Sequence, residues 1–391
     1  MSFKKKSMIF ISGGVSALVL VIVLTALGGF SLVPFFRVER LKNMEANYGK
    51  LEVLRQEIVD NYYLDLDEDK LYEGMIYGMF DAVDDKYTSY MNPEEYKQYN
   101  DSTQGKYVGI GIQSNTSDER IQIVRVFEGS PAQKAGIQIE DEVIAVDELT
   151  IEDNGYRDLL DRMLGQEGQE VLVKVKREGE VLSFTIKRGS VKIPFVDSQV
   201  IGQTGYLVLY QFGSQVSEEF ESHLKNLLKQ DVNGIIIDLR DNPGGLVTEC
   251  TEIADQLLPK GTIVYTLDKY GNEKTYKSKK DHTDIPLVFL ANENSASASE
   301  ILLAAVRDFD RAPIVGVQTF GKGIVQSVAE YGDGSGFKIT YSQYFSPQGN
   351  KIHKIGVSPD YEVNFEGIKN TLAPDLTEDP QLKQAYDLLN Q

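Results

Sequence analysis

The sequence predicts a mixed α+β chain: an N-terminal helix able to cross a membrane, a helical segment, a small β-rich module and a larger β/α core. Three observations predict it. From Ser7 to Phe36 there is no charged residue. Between Tyr107 and Arg188, short strand-like runs alternate with turns bearing glycine, serine and proline. Beyond Val191, apolar strands give way to helices through glycine- and serine-rich turns.

The apolar run comes first in the chain. Its core, MIFISGGVSALVLVIVLTALGGF, is about 23 residues long, enough to span a bilayer. Lys4, Lys5 and Lys6 precede it, so the positive-inside rule places the N-terminus in the cytoplasm. A cleaved signal peptide is the competing reading, with Ala26-Leu27-Gly28 as its small-residue site. Either way the folded part is expected outside the cytoplasm, and with the anchor retained it would be a single-pass protein of the cell membrane.

The next stretch is rich in helix formers. Leu51 to Tyr63 places Leu51, Leu54, Ile58 and Tyr62 on one face. Leu71 to Val83 reads as a second helix. Asn92-Pro93-Glu94-Glu95 starts a third, with proline in its first turn.

Strands are then expected at Val108–Gln113, Ile121–Val126, Glu142–Val146, Val171–Lys176 and Leu182–Ile186. Short helices fall at Pro131–Ala135 and Gly155–Leu164. In the last part, Gly205–Phe212 and Gly234–Arg240 flank a helix at Ser217–Gln230. The run Gly234-Ile235-Ile236-Ile237-Asp238-Leu239 is too apolar to face water. It ends in Arg240-Asp241-Asn242-Pro243-Gly244-Gly245, a strand-to-helix turn whose glycines can present backbone N–H groups. A final helix, Gln381–Leu389, follows an acidic, proline-bearing start.

Composition excludes several functions. With 391 residues the chain suits two or three domains. The formal net charge of −19 leaves nothing to neutralise phosphate, so nucleic acid is not an expected partner. The one cysteine, Cys250, permits no intramolecular disulfide and lies in an amphipathic stretch, Val247 to Leu258. His223, His282 and His353 are scattered, with no metal-ligand spacing, so a zinc enzyme and a bound metal are not expected.

Chemistry concentrates between Asn294 and Gln326. Asn294-Ser295-Ala296-Ser297-Ala298-Ser299-Glu300 lies where a strand (Pro286–Ala291) passes into a helix (Ala298–Arg307). A serine at such a turn is exposed, and the helix N-terminus favours developing negative charge. Roughly 25 residues on, Lys322 sits between Gly321 and Gly323 in Thr319-Phe320-Gly321-Lys322-Gly323-Ile324-Val325-Gln326. Together these are the parts of a serine nucleophile with a lysine base.

SASASE followed by TFGKGIVQ resembles the carboxyl-terminal processing (tail-specific) proteases, and the likeness covers nearly the whole chain after the apolar run. The resemblance implies a Ser-Lys serine endopeptidase with Ser297 as nucleophile, Lys322 as base and Gln326 orienting the lysine. It implies oxyanion-hole donors at Gly245 and Ala298, no cofactor, and a crotonase-like β/α core with a PDZ domain inserted before it. Tyr107 to Arg188 resembles that PDZ domain. Val108, Gly109, Ile110 and Gly111 would form its carboxylate-binding loop, and Leu159, Leu160 and Met163 would line its side-chain pocket. The helical stretch with DDKYTSYMNPEE resembles the family's N-terminal region, through which relatives often dimerise.

The expected divisions are a cytoplasmic tip and anchor (1–38), a helical region (39–104), the PDZ domain (105–188), an S41-type catalytic core (189–368) and a helical tail (369–391). The expected partners are proteins or peptides with free C-termini, the membrane through the N-terminal helix, and a second copy of the chain. Two other functions fit parts of the pattern. One is a membrane-tethered PDZ scaffold with an inactive protease core, and the other is an acyl-CoA enzyme on a crotonase-like core.

A lysine base must be neutral. At its ordinary pKa of about 10.4 only roughly one lysine in 2,500 is neutral at pH 7. Burial lowers that pKa, and Phe320, Ile324 and Val325 are the expected source of the desolvation.

Overall fold

The computed structural model describes residues 35–115, 120–279, 281–365, 367 and 371–391. The chain divides into two compact units, Met1–Gly78 and Met79–Gln391.

In the first unit a helix spans Phe35–Asn61, longer than the sequence periodicity predicts. A second, Glu68–Asp81, begins in this unit with Glu68 and Asp69 in its first turn, where the helix dipole favours acids. Arg55 joins the two, donating to Glu52 at 2.6 Å and to Glu68 at 2.7 Å. The face expected to be apolar is open: Leu51, Leu54, Ile58 and Tyr62 are all exposed.

The membrane anchor requires correction. Among the described residues no helix is long and apolar enough to cross a bilayer. The 27-residue Phe35–Asn61 helix has the length but carries Lys50, Glu52, Arg55, Glu57 and Asp60, charges too costly for hydrocarbon. Residues 7–34 of the apolar run lie outside the described residues. The described residues therefore lend no support to the expected membrane partner, single-pass localisation or tethered state.

The second unit holds a β-rich module and a β/α core. Before them, the Pro93–Thr103 helix is closed by a reciprocal cap: Asn92 Oδ1 accepts from Glu95 N–H at 2.9 Å, and Glu95 accepts from Asn92 N–H at 3.0 Å.

In the module, strands Ile112–Asn115, Ile121–Val126, Glu142–Val146, Glu170–Arg177 and Glu180–Lys187 form one sheet in that order. Inward residues such as Ile121, Ile123, Val173 and Val175 alternate with polar ones. The expected strand Val108–Gln113 is in fact two. Lys106–Gly109 pairs with Gly189–Lys192, and Ile112–Asn115 joins the larger sheet. Gly111, at φ 89°, makes the break. The second helix spans Ile151–Met163 and contains a non-helical Gly155.

The core sheet runs Val196–Ile201, Thr204–Leu209, Gly234–Asp238, Leu287–Ala291, Ile314–Gly316, Tyr361–Glu362. Its first pair is antiparallel and the rest are parallel. Both faces are covered. Leu207, Ile235, Ile237 and Phe289 pack with the helices Val216–Leu228, Val247–Leu257 and Ala298–Asp308. Tyr206, Val208, Ile236 and Leu290 pack with Leu382 and Ala385 of the C-terminal helix, Pro380–Leu389. Two buried faces explain why these strands read as unbroken apolar runs.

A buried polar network joins this sheet to the C-terminal helix. Arg240 donates to Asp238 at 2.7 Å and to Asp379 at 2.8 Å, and Tyr206 Oη donates to Asp238 at 2.7 Å. Asp379 also caps the helix, accepting from Leu382 N–H at 2.9 Å.

A second sheet centres on Gly336–Phe345, which pairs with Ser89–Met91, Gly261–Asp268 and Ile324–Glu330. It carries the lysine loop's outgoing strand.

Candidate active site

Ser297 sits beyond the carboxyl end of the Leu287–Ala291 strand, as the residue before the Ala298–Asp308 helix. Its backbone is strained, with φ 57° and ψ −113°. A non-glycine residue holds such angles only when its surroundings enforce them, and a sharp strand-to-helix turn is how a nucleophilic serine is presented. The neighbouring serines do the enforcing. Ser295 Oγ donates to Leu239 O at 2.8 Å and Ser299 Oγ donates to Asn242 O at 3.0 Å.

Lys322 lies in the loop leading into the Ile324–Glu330 strand. Its Nζ donates to Gln326 Oε1 at 3.1 Å, and Gln326 Nε2 donates to Tyr87 O at 2.8 Å. The ammonium position is 4.7 Å from the centroid of the Tyr87 ring. Burial depresses the Lys322 pKa, assisted by the positive charges of Lys338 and Lys86 and opposed by Asp85 and Glu300. The apolar screen differs from the expected one. Ile324 and Val325 are buried, but Phe320 is 51% exposed. Lys338 and Lys86 gave no sequence signal because they are distant in the chain.

Sequence reasoning also missed the residue that joins the two motifs. Glu300 is fully buried. Its carboxylate accepts from Ser297 N–H at 2.9 Å, Thr319 Oγ1 at 2.6 Å, Gly321 N–H at 2.7 Å and Lys322 N–H at 2.8 Å. The signal available was an acid three residues after a serine before a helix, a capping pattern. Tyr344 was missed as well. Its buried hydroxyl donates to Lys322 O and faces the Ser297 side chain.

No hydrogen bond runs from Lys322 Nζ to Ser297 Oγ among the described residues. Catalytic hydrogen bonds often tighten only when substrate is present.

The glycine turn lies against the serine turn. A Cβ on Gly244 would meet Ala296 O at 2.6 Å, Ser297 Cβ at 2.7 Å and Ala298 N at 2.8 Å. Gly244 N–H is taken by Asn242 Oδ1 at 2.9 Å. On either side of Gly245, Gly244 O accepts from Phe212 N–H and Leu246 N–H donates to Phe212 O. Ala298 is the first helical residue, where N–H groups have no intrahelical partner. Gly244 thus lies against the Ser297–Ala298 backbone, and Gly245, next in the same turn, packs on the backbone of Phe212.

Three family descriptions match successive parts of the chain. "Activating protease CtpB N-terminal domain" matches residues 37–95, "PDZ domain" residues 108–187 and "Peptidase family S41" residues 203–363. A "Probable CtpA-like serine protease" of Staphylococcus epidermidis is 35% identical over 327 residues, 83% of this chain and 67% of its own length. The chain belongs to the CtpA-like S41 serine proteases. It has a PDZ domain and is a serine-type endopeptidase. The corresponding protein of Staphylococcus aureus is 32% identical, with 83% and 66% covered. Among solved structures, the "photosystem II D1 C-terminal processing protease" is 27% identical at a TM-score of 0.51, covering 87% of this chain and 94% of that one. A "putative S41 protease" from Bacteroides fragilis has the same TM-score, 0.51, at 13% identity, a likeness of fold alone, over 72% of this chain and 80% of that one.

In the PDZ domain a groove of about 170 Å³ is lined by Tyr107, Ile110, Ile112, Leu160, Met163 and Leu164. Leu160 and Met163 border it, whereas Leu159 is fully buried in the domain core. Val108 and Gly109 lie in the strand paired with Ser190 and Gly189. Of the loop, Ile110 and Ile112 border the groove, and Gly109 packs against Tyr107 and Leu164, which also line it.

Proposed function

We propose that this CtpA-like endopeptidase cleaves protein substrates selected by their C-termini, through an acyl-enzyme formed on Ser297. In this reading Ser297 Oγ attacks the scissile carbonyl and Lys322 Nζ takes its proton. The C–N bond breaks as Lys322 passes that proton to the leaving amine. A water deprotonated by Lys322 then hydrolyses the ester and frees Ser297. Gln326 holds the amine without adding charge. The N–H groups of Gly245 and Ala298 stabilise the oxyanion, typically the largest catalytic term. The PDZ domain, with boundaries near 105 and 188, takes the substrate C-terminus, and the core near 189–368 performs the hydrolysis.

One observation carries this reading. The strained Ser297 turn and the Lys322 loop are fixed to the same buried carboxylate, Glu300. An inactive scaffold would have no use for a strained serine held beside a desolvated lysine. Gly244 packs so closely on the serine turn, and Gly245 on Phe212, that neither position has room for a side chain.

The test is labelling with a serine-directed phosphonate, together with cleavage of an unstructured polypeptide. The wild type should be labelled and active. Ser297→Ala should be neither. Lys322→Arg should lose activity, because arginine remains charged at any usable pH. Activity retained by the arginine variant would remove lysine as the base. Equal cleavage of matched peptides ending in a carboxylate or an amide would remove C-terminal selection.

A further inference from the structure

Tyr87 lies ahead of the PDZ domain, in the stretch that matches the CtpB N-terminal domain, residues 37–95. Ser297, Lys322 and Gln326 lie in the S41 match, residues 203–363. Tyr87 nevertheless reaches the lysine in two ways. Its carbonyl accepts from Gln326 Nε2 at 2.8 Å, and Gln326 Oε1 accepts from Lys322 Nζ at 3.1 Å. Its ring lies under the amine, with the centroid 4.7 Å from Nζ.

Local structure fixes both contacts. Asp85 Oδ1 accepts from Tyr87 N–H at 3.1 Å and Asp85 Oδ2 from Thr88 Oγ1 at 2.7 Å, a side-chain turn that sets the Tyr87 backbone. Thr88 Oγ1 accepts from Thr340 N–H at 3.1 Å, and Thr340 is the strand neighbour of Gln326. Ser89, Tyr90 and Met91 then pair with Lys338, Phe337 and Gly336. Strand pairing, rather than the lysine, holds the ring in place.

A neutral amine that takes the Ser297 proton becomes an ammonium. The serine O–H bond breaks, an N–H bond forms on Nζ, and Oγ closes on the scissile carbonyl. Positive charge therefore appears on Nζ during the reaction, beside an aromatic face that carries partial negative charge. A cation within about 6 Å of a ring centroid is attracted to it. An interaction stronger in the transition state than in the ground state speeds the chemical step.

We propose that Tyr87 is the electrostatic partner of the base: its ring stabilises the ammonium that Lys322 becomes, while its carbonyl aims Gln326. The proposal rests on the Ser-Lys reading given above. The catalytic machinery is thereby completed by the stretch before the PDZ domain. The other charges around Nζ are Lys338 and Lys86, which oppose its charge, and Asp85 and Glu300, which favour it. The Tyr344 hydroxyl is engaged with Lys322 O. Lys86 Nζ lies 4.8 Å from the Tyr87 centroid but also 5.3 Å from that of Phe320, so it keeps an aromatic support without Tyr87.

The test measures pH profiles of peptide cleavage by the full chain. Tyr87→Leu keeps apolar cover and removes the aromatic face. Replacing Tyr87 by pentafluorophenylalanine keeps the shape and reverses the charge of the face, and it decides the matter should the leucine variant fail to fold. Both changes withdraw support from the ammonium. The ascending limb should therefore move to lower pH by about 0.7 unit, and kcat on the plateau should fall about threefold with KM unchanged. One ring–cation contact has this scale, felt in full by the ammonium and in part by the transition state. Tyr87→Phe should restore both quantities. Simple opening of the site to water would instead move the limb to higher pH. A limb that stays or rises, or a plateau at the wild-type value, overturns the role of Tyr87 while Lys322→Ala remains inactive. Activity in Lys322→Ala overturns the lysine base as well.

Discussion

The Glu300 carboxylate accepts a hydrogen bond from the backbone N–H of Lys322 at 2.8 Å. The same side chain holds Ser297 N–H at 2.9 Å. In the proposed mechanism, nucleophile and base are thus positioned by one buried group, through their backbones rather than their side chains. Glu300→Gln keeps the size but presents an NH₂ group to a site whose four neighbours all donate. The expected result is a fall in kcat of at least about 100-fold, since misplaced catalytic groups lose that much from small displacements. Rescue by Glu300→Asp should be poor, because a shorter side chain cannot span both loops. Near-wild-type kcat in Glu300→Gln would refute the positioning role.

The pH profile follows from the direction of the Lys322 shift. Burial first, then Lys338 and Lys86, hold its pKa below the ordinary lysine value. Only the neutral amine accepts a proton, so activity rises with pH through that depressed pKa and levels off above it. Lys338→Gln removes one repelling charge and therefore raises the Lys322 pKa. The ascending limb of kcat/KM should move to higher pH, with the two proteins converging once both amines are neutral. A limb that stays in place would show that Lys338 does not act on the base.

Gly244 has no tolerance for a side chain. The three atoms that a Cβ would strike within 2.8 Å include two from the backbone of the serine turn, and its φ is 96°. Gly244→Ala should displace the turn and lower kcat by about 100-fold or more, the scale of losing one oxyanion donor. Phosphonate labelling should slow in parallel. Labelling at the wild-type rate would mean that the turn adapts.

The Asp238–Arg240–Asp379 network is a stability device rather than a chemical one. Arg240 is buried, and although burial opposes its charge, Asp238 and Asp379 hold its pKa above the usual value. Arg240→Met leaves two carboxylates without their cation. It should destabilise the fold by about 3–5 kcal/mol, the usual result of breaking a buried pair from one side. Denaturant unfolding measures this directly. A loss under about 1 kcal/mol would place the pair with weak surface contacts.

The sequence alone determined much of this molecule. Serine beside a strand end, lysine between glycines and paired glycines after an apolar strand are local patterns, and their chemistry is local too. The apolar runs at Gly234–Asp238 and Leu287–Ala291 fixed the core because only strands buried on both faces read that way. The break at Gly111 was not legible, since a glycine inside an apolar run looks the same whether the strand continues or turns.

Tertiary structure decided what depends on distant residues. Glu300 meets Thr319 and Gly321, about a strand and a helix away, only after the sheets close. Lys338, on the Gly336–Phe345 strand, and Lys86 and Tyr87, in the turn before Ser89–Met91, all reach Lys322, so its electrostatic setting has no sequence signature. Leu159 and Leu160 are adjacent and alike, yet one is core and the other lines the groove. Neighbouring helix positions point about 100° apart, and only the packing of that helix on its sheet selects which of them faces a ligand.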